Sequence, residues 1–173
     1  MAKSIVALAA ASCLAVLTAG GTYALLNSSA TAGSGATITS GTAALTVSPL
    51  GLSTTLYPGL TIYAPVTVTN SGQVPLSTRI AGLTAPTAST IFAQSLSVGV
   101  GVAASAAACQ AGSVTSTWSG TFASNSPASI GPALPVGGSV ILCVALTLPI
   151  GASSAAQGQS ATSFGVRLDG DQA

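Results

Sequence analysis

Charged side chains are almost missing from this sequence. Its 173 residues include three lysines and arginines together, two acidic residues and no histidine. Both acidic residues are aspartates, so glutamate is absent as well. Without His and Glu the chain cannot build an H-E-x-x-H zinc site, a Ser-His-Asp triad or a pair of catalytic glutamates. We therefore expect no enzyme activity, no catalytic or metal-binding residues and no cofactor.

The few charges are also unevenly placed. Lys3 lies near the N-terminus, whereas Arg79, Arg167, Asp169 and Asp171 lie further along the chain, where two positive charges balance two negative ones. A net charge near zero removes the long-range repulsion that keeps protein molecules apart, so it favours self-association. Two isolated arginines do not form the basic patch that phosphate binding needs, so we expect no nucleic-acid partner.

The N-terminus has the pattern of a signal peptide. Lys3 is followed by an apolar run over Ile5–Ala19, and the small residues Thr22 and Ala24 suit the −3 and −1 positions of a cleavage site. We predict a helical signal peptide over residues 1–24 with cleavage between Ala24 and Leu25. The protein would then be secreted or displayed at the cell surface.

Two alternatives for this segment stay open. Ile5–Leu26 is nearly long enough to span a bilayer, so an uncleaved leader would serve as a membrane anchor. Cys13 would allow a lipoprotein leader, although the apolar run before it would then be short. Membrane contact is expected only through an uncleaved leader.

The rest of the chain has the period-2 pattern of β-strands. It is clearest over Leu60–Thr69, where Ile62, Ala64, Val66 and Val68 alternate with polar residues. Pro65 within this run predicts an edge position or a bulge. The other predicted strands are 36–47, 74–83, 95–103, 113–122, 139–148 and 160–168, whereas 127–138 is predicted to be a loop.

About seven or eight strands with no sustained helical period predict an all-β fold, an antiparallel β-sandwich of jelly-roll type over residues 37–173. The most apolar strand, Ser139–Leu148, is expected to be central. Residues 25–36, rich in small and polar side chains, are expected to form a flexible N-terminal segment.

Two cysteines follow the leader, Cys109 and Cys143. An even number of cysteines in an exported chain predicts a disulfide, and this one would close a loop of about 35 residues and stabilise the fold by roughly 3–4 kcal/mol. Two buried free thiols are the alternative.

Two further motifs have simple structural explanations. Gly99–Ala104 fits a loose G-x-G-x-x-A pattern, but the glycines lie within an alternating strand and no acidic residue follows at the distance that a ribose-binding site needs. Asp169-Gly170-Asp171 is the only acidic cluster, and it is predicted to be a solvated C-terminal tail.

Three stretches resemble the camelysin/TasA family of exported proteins. They are GGTYALLNSSAT…ATITSGTAALTV at the end of the leader, LYPGLTIYAPVTVTNSGQVPLSTRI in the first third of the mature chain, and the closing VILCVALTLP…QGQSATSFGVRLDGDQ, which looks like the short actinobacterial-type members. The region 85–135 matches no motif of the family.

The resemblance implies a bacterial protein with a jelly-roll fold, cleaved after Ala24 by a dedicated signal peptidase and exported to the cell surface or biofilm matrix. For fibre-forming members it also implies donor-strand assembly, and the donor here would be roughly Leu25–Ile38. The protease activity assigned to camelysin is not carried over, because His and Glu are absent.

Two functions are therefore expected. The first is an exported structural subunit that self-associates through strand edges. The second is a monomeric secreted or cell-surface binding module that contacts its partner through region 85–135.

Overall fold

The structure is a computed structural model that describes residues 41–52 and 55–173. The predicted signal peptide, the cleavage site between Ala24 and Leu25, and segment 25–36 lie outside the described residues. The elements are, in chain order, β1 (Leu45–Val47), β2 (Thr61–Asn70), β3 (Leu76–Thr84), α1 (Ile91–Ser95), β4 (Ser97–Ala103), α2 (Ala106–Gln110), β5 (Trp118–Thr121), β6 (Ala128–Leu134), β7 (Ser139–Thr147), a 3₁₀ turn (Ser154–Ala156) and β8 (Gly165–Gln172).

The eight strands form two antiparallel sheets. The larger sheet has the order β1-β2-β7-β4-β5 and the smaller has the order β6-β3-β8. Every strand pair is antiparallel. The structure thus confirms the all-β antiparallel sandwich, and β7 occupies the middle of the larger sheet, as its apolar sequence predicts.

The core lies between the two sheets and is built from the alternation that the sequence shows. Val66 and Val68 of β2 and Leu142 of β7 face Ile80 of β3, and all four are buried. Fully burying such a side chain stabilises the fold by about 1.5–3 kcal/mol. Where a strand such as β2 buries only one face, the period-2 pattern also fixes its register.

The helices are short and each begins at a capping hydroxyl. The Thr90 hydroxyl accepts from Ala93 N at the start of α1, and the Ser105 hydroxyl accepts from Ala108 N at the start of α2, both over 3.1 Å. Five residues are too few to produce a helical period in the sequence. No helix among the described residues is long and apolar enough to cross a membrane.

The prediction of a loop over residues 127–138 is wrong, because Ala128–Leu134 forms β6. Gly131, with φ of 77°, and Pro132 fall where the register against β3 shifts. β6 pairs on one side only, so a missing backbone N–H at Pro132 can face away from the sheet without disturbing it.

The predicted C-terminal tail is also wrong. The last strand runs over Gly165–Gln172 rather than 160–168, and it includes Asp169, Gly170 and Asp171. Asp169 lies opposite Arg79 of β3 and Asp171 lies opposite Ser77. The charged side chains alternate with Leu168 and Gly170, so the period-2 pattern continues through the acidic cluster.

Other boundaries are narrower than predicted. Of the strand expected over 36–47, the described residues are in strand only at Leu45–Val47. The strand expected over 113–122 covers only Trp118–Thr121. Pro65 lies within β2, and the side of β2 that faces away from β7 has no paired strand at that residue, since β1 covers only Val68–Asn70.

Candidate functional site

The four strands at the sheet edges are unequally protected against pairing with another chain. β1 has three residues, β5 has four, and β6 contains Pro132. β8 has eight residues and no proline. Short strands and prolines are common protections of sheet edges. β8 is therefore the longest edge without either protection among the described strands.

The backbone of β8 is hydrogen-bonded on one side. Ala173 N donates to Pro75 O over 3.2 Å, which shows that the odd-numbered residues turn their backbone groups towards β3. Alternate residues of a strand point these groups to opposite sides. The groups of Val166, Leu168 and Gly170 therefore face away from β3, and no described strand pairs with them.

The inward side chains of β8 are incompletely covered. Val166 and Leu168 are half-buried, whereas Leu76 and Ile80 on the neighbouring β3 have no exposed surface. A cavity of about 260 Å³ lies beside them between the two sheets. Its wall includes Val47, Leu50, Val66, Val144, Phe164 and Leu168.

A second cavity of about 730 Å³ adjoins the first at Phe164, which lines both. Its apolar wall includes Ile62 of β2, Phe92 of α1 and Leu146 of β7. No charged side chain of residues 41–52 or 55–173 lines either cavity. We call the two cavities together the lateral cleft.

β2 also borders the lateral cleft, and part of its backbone there has no partner among the described strands. Asn70 N donates to Gly138 O over 2.9 Å and Leu148 N donates to Leu60 O over 3.1 Å, so the even-numbered residues of β2 face β7. The odd-numbered residues face the other way, where Thr67 N donates to the Ser48 hydroxyl. No described strand pairs with Thr61–Pro65 on that side, and we call this stretch the β2 edge.

All the charges of the described residues lie on β3 and β8. Arg79 Nη2 is 3.4 Å from Asp169 Oδ2, and Arg79 Nε is 3.6 Å from Asp171 Oδ2. Arg167 is exposed and forms no ion pair with any described residue. These side chains are too exposed for the intrachain pairs to contribute much more than about 1 kcal/mol. β8 thus carries one positive and two negative charges on its outward face.

The two predicted cysteines form a disulfide. Cys109 of α2 and Cys143 of β7 are joined with a Cα–Cα distance of 5.3 Å, and both are buried. They pack with Ala103, Tyr63, Val114 and Ile141. The bond therefore fastens α2 to the five-stranded sheet. The other predicted site residues, Ala24 and Leu25, lie outside the described residues.

The glycines of the G-x-G-x-x-A pattern serve packing against a crossing segment. A Cβ at Gly101 would lie too close to the carbonyl oxygen of Thr115, and one at Gly99 would lie too close to the Ser116 hydroxyl. Residues 113–117 therefore cross closely over β4. This contact also explains why the strand predicted from Ser113 begins only at Trp118.

We expect Gly101→Ala to lower the free energy of unfolding by about 1–3 kcal/mol, because the added methyl group meets backbone that cannot rotate away. Gly165→Ala is the matched control, since Gly165 also lies in a strand and its Cβ would have no neighbour within 4 Å. Urea unfolding followed by Trp118 fluorescence measures both changes. Equal stabilities of the two variants would contradict the close crossing.

This chain matches no protein-family model and no curated protein sequence. Among the described residues there is no group of three His, Cys, Asp or Glu side chains that could hold a metal ion. The feature with the clearest functional potential is therefore the lateral cleft with its two unpaired edges. The alternation that continues through Asp171 is the sequence signal for β8, although two aspartates near the end of the chain also favour a solvated tail.

Proposed function

We propose that this chain is an exported structural protein of the cell surface or extracellular matrix that self-associates by strand addition. The observation that carries the proposal is the lateral cleft, an uncharged and partly apolar space among the described residues that is flanked by the β2 edge and by β8. Strand addition supplies ladder hydrogen bonds to such an edge and places alternate side chains in the apolar space. In this proposal the sandwich is of jelly-roll type, as the resemblance to the camelysin/TasA family implies.

The disulfide supports export. Disulfides form and persist in oxidising compartments and are rare in reducing ones. The Cys109–Cys143 bond is therefore consistent with cleavage of the leader after Ala24 by a dedicated signal peptidase and with a mature chain that begins at Leu25.

The donor strand in this proposal is the segment Leu25–Ile38 of a neighbouring copy. It contains no charged residue, and the described lining of the lateral cleft contains none either. An uncharged strand can enter an uncharged cleft without leaving an unpaired charge in a place poor in water. We therefore assign the β2 edge, rather than the charged β8, as the acceptor of the donor strand.

We expect removal of Leu25–Ala36 from the full-length gene to abolish polymers of the exported protein, because the donor strand is lost while the described sandwich stays complete. Negative-stain microscopy and sedimentation of protein from the culture medium measure this. The matched control replaces residues 27–36 with a Gly/Ser segment of equal length and keeps the cleavage site. It should also fail to polymerise, since a Gly/Ser segment lacks side chains that favour a strand.

Polymers that persist after the deletion would overturn the donor assignment. If the unaltered protein is secreted but stays monomeric at high concentration, the proposal of a structural subunit fails. If the full-length mass is found only in membranes, the leader is an anchor and the proposal of a mature secreted chain fails.

The second candidate function is a monomeric secreted or cell-surface binding module. The observation that favours it is the larger cavity, whose volume of about 730 Å³ is within the range of small-molecule sites. Phe92 and Leu96, from the region 85–135, line it. Under this alternative, the deletion of Leu25–Ala36 leaves partner binding intact.

A further inference from the structure

We infer that two copies of this chain join by antiparallel pairing of their β8 strands about a two-fold axis at Leu168. The pairing would merge the two three-stranded sheets into one sheet of six strands. It goes beyond the proposed function, because it needs no donor segment and uses a different edge. The occupant of the β8 edge is a second copy, and the charge pattern of β8 identifies it.

The backbone of β8 permits this register. Leu168, Val166 and Gly170 present their N–H and C=O groups to the side on which no described strand pairs with β8. With the axis at Leu168, each copy's Leu168 lies opposite the other's, and Val166 lies opposite Gly170. These pairs exchange the hydrogen bonds of an antiparallel ladder. The half-buried Val166 and Leu168 side chains would then gain a covering neighbour.

The outward side chains select the same register. With the axis at Leu168, Arg167 of each copy lies opposite Asp169 of the other, which gives two ion pairs between oppositely charged side chains. Both residues then occupy non-hydrogen-bonded positions, where facing side chains are closest. Arg167 has no ion-pair partner within its own chain among the described residues, so the dimer would supply one.

Neighbouring registers are disfavoured by charge. If the axis lies at Asp169, Arg167 of each copy lies opposite Asp171 of the other, but the two Asp169 side chains face each other, so one like-charge pair is added to the two favourable pairs. If it lies at Arg167, the two arginines face each other and no opposite charges do. Like charges directly opposite each other in a sheet are destabilising. A register shift of one residue would place the outward side chains of one copy opposite the inward side chains of the other. One strand would then have to turn over, which would expose its apolar face. The register centred on Leu168 is therefore favoured both by the charged side chains and by the alternation of inward and outward residues.

The inference predicts a charge-exchange pattern. Arg167→Asp leaves two aspartates opposite two aspartates, and Asp169→Arg leaves two arginines opposite two arginines. Each variant alone should raise the Kd of the dimer by at least about tenfold, because two favourable pairs become repulsive. An equimolar mixture of the two variants should form a heterodimer, since every Asp then faces an Arg.

The measurement is sedimentation equilibrium of the exported protein in two backgrounds, with and without Leu25–Ala36. Ser119→Asp on β5, at the far edge of the larger sheet, is the control for a change in net charge and should leave the Kd unchanged. Thermal melting of each variant checks that it is folded. A damaged fold cannot produce the expected rescue in the mixture, whereas complementary charges can.

The result that would overturn the inference is an Arg167→Asp variant that is folded and dimerises like the unaltered chain. A mixture that yields no heterodimer would also overturn it. Its failure is distinct from that of the proposed function, because the donor segment is removed in one background. Dimers that depend on Arg167 but not on Leu25–Ala36 support this inference even if no polymer forms.

Discussion

Replacing Asn70 with alanine is expected to lower the free energy of unfolding by about 3–4 kcal/mol. The Asn70 side chain is completely buried. Its amide donates to the carbonyl oxygens of Val74 over 2.8 Å and of Leu134 over 3.0 Å, and its carbonyl accepts from Gly72 N over 3.0 Å. The amide also donates to Pro135 O over 3.2 Å. A buried backbone group left without its partner costs about 1–3 kcal/mol, and four wholly or partly buried groups are affected here.

The large effect follows from the position of Asn70 between two turns. Its side chain holds the turn after β2, and its backbone exchanges hydrogen bonds with the turn before β7, since Asn70 N donates to Gly138 O and Gly137 N donates to Asn70 O. Asn70→Asp keeps the shape and the acceptor for Gly72. It should be at least as destabilising, because it places a carboxylate against carbonyl oxygens.

Urea unfolding followed by Trp118 fluorescence measures the loss of stability. If the free energy of unfolding depends on urea concentration with the same slope in both proteins, the unfolded state is unchanged. Asn125→Ala is the matched control. Asn125 is only half-buried and its side chain makes two hydrogen bonds, with Leu83 N and Thr121 O, so we expect a loss of about 1 kcal/mol. Equal losses at the two positions would show that the bonds of Asn70 are no stronger than those of a half-exposed amide.

The strands that the sequence predicts well are those whose burial follows directly from the pattern of neighbouring residues. In β2 the inward residues Ala64, Val66 and Val68 are buried and alternate with residues that are not. β7 was identified by its continuous apolar run. In both strands the signal is local, because burial of one or both faces is written directly into neighbouring residues.

β6 was missed because its signal depends on a distant partner. Pro132 and Gly131 disfavour a strand that is paired on both sides, but β6 pairs only with β3. Whether a strand lies at the edge of its sheet depends on the order of the strands. The pattern of residues within one strand does not contain that order. The same limit applies to the lateral cleft, since the sequence does not show that β1 and β8 lie at sheet edges.

The candidate site was therefore predicted only in part. The number of cysteines predicts the disulfide, but no feature of the composition predicts that β8 lies at the edge of a sheet. Arg79 is 90 residues from Asp169 in the sequence, and the pairing of β3 with β8 places it beside both Asp169 and Asp171. A doublet of aspartates near the end of a chain looks like a solvated tail until a cross-strand arginine is known.

Loss of the Cys109–Cys143 disulfide is expected to lower the free energy of unfolding by about 3–4 kcal/mol. The two cysteines are 34 residues apart in the sequence, and closing a loop of that length reduces the entropy of the unfolded chain by about this amount. Intact mass of the native protein should be two hydrogens below that of the reduced protein. Urea unfolding of the oxidised, the reduced and the Cys109→Ala/Cys143→Ala protein measures the change in stability.

Comparing the three forms separates the effect of the crosslink on stability from the effect of the packed sulfur atoms. The reduced protein keeps both buried sulfurs, whereas the double alanine variant also loses their packing against Tyr63 and Ile141. We therefore expect the reduced protein to lose about 3–4 kcal/mol and the variant somewhat more. Cys13→Ala is the control and should leave the mature protein unchanged. A crosslink acts mainly by restricting a disordered unfolded chain. If reduction does not alter the stability of the fold, the unfolded chain is already compact around this loop, and the stabilising role of the bond is refuted.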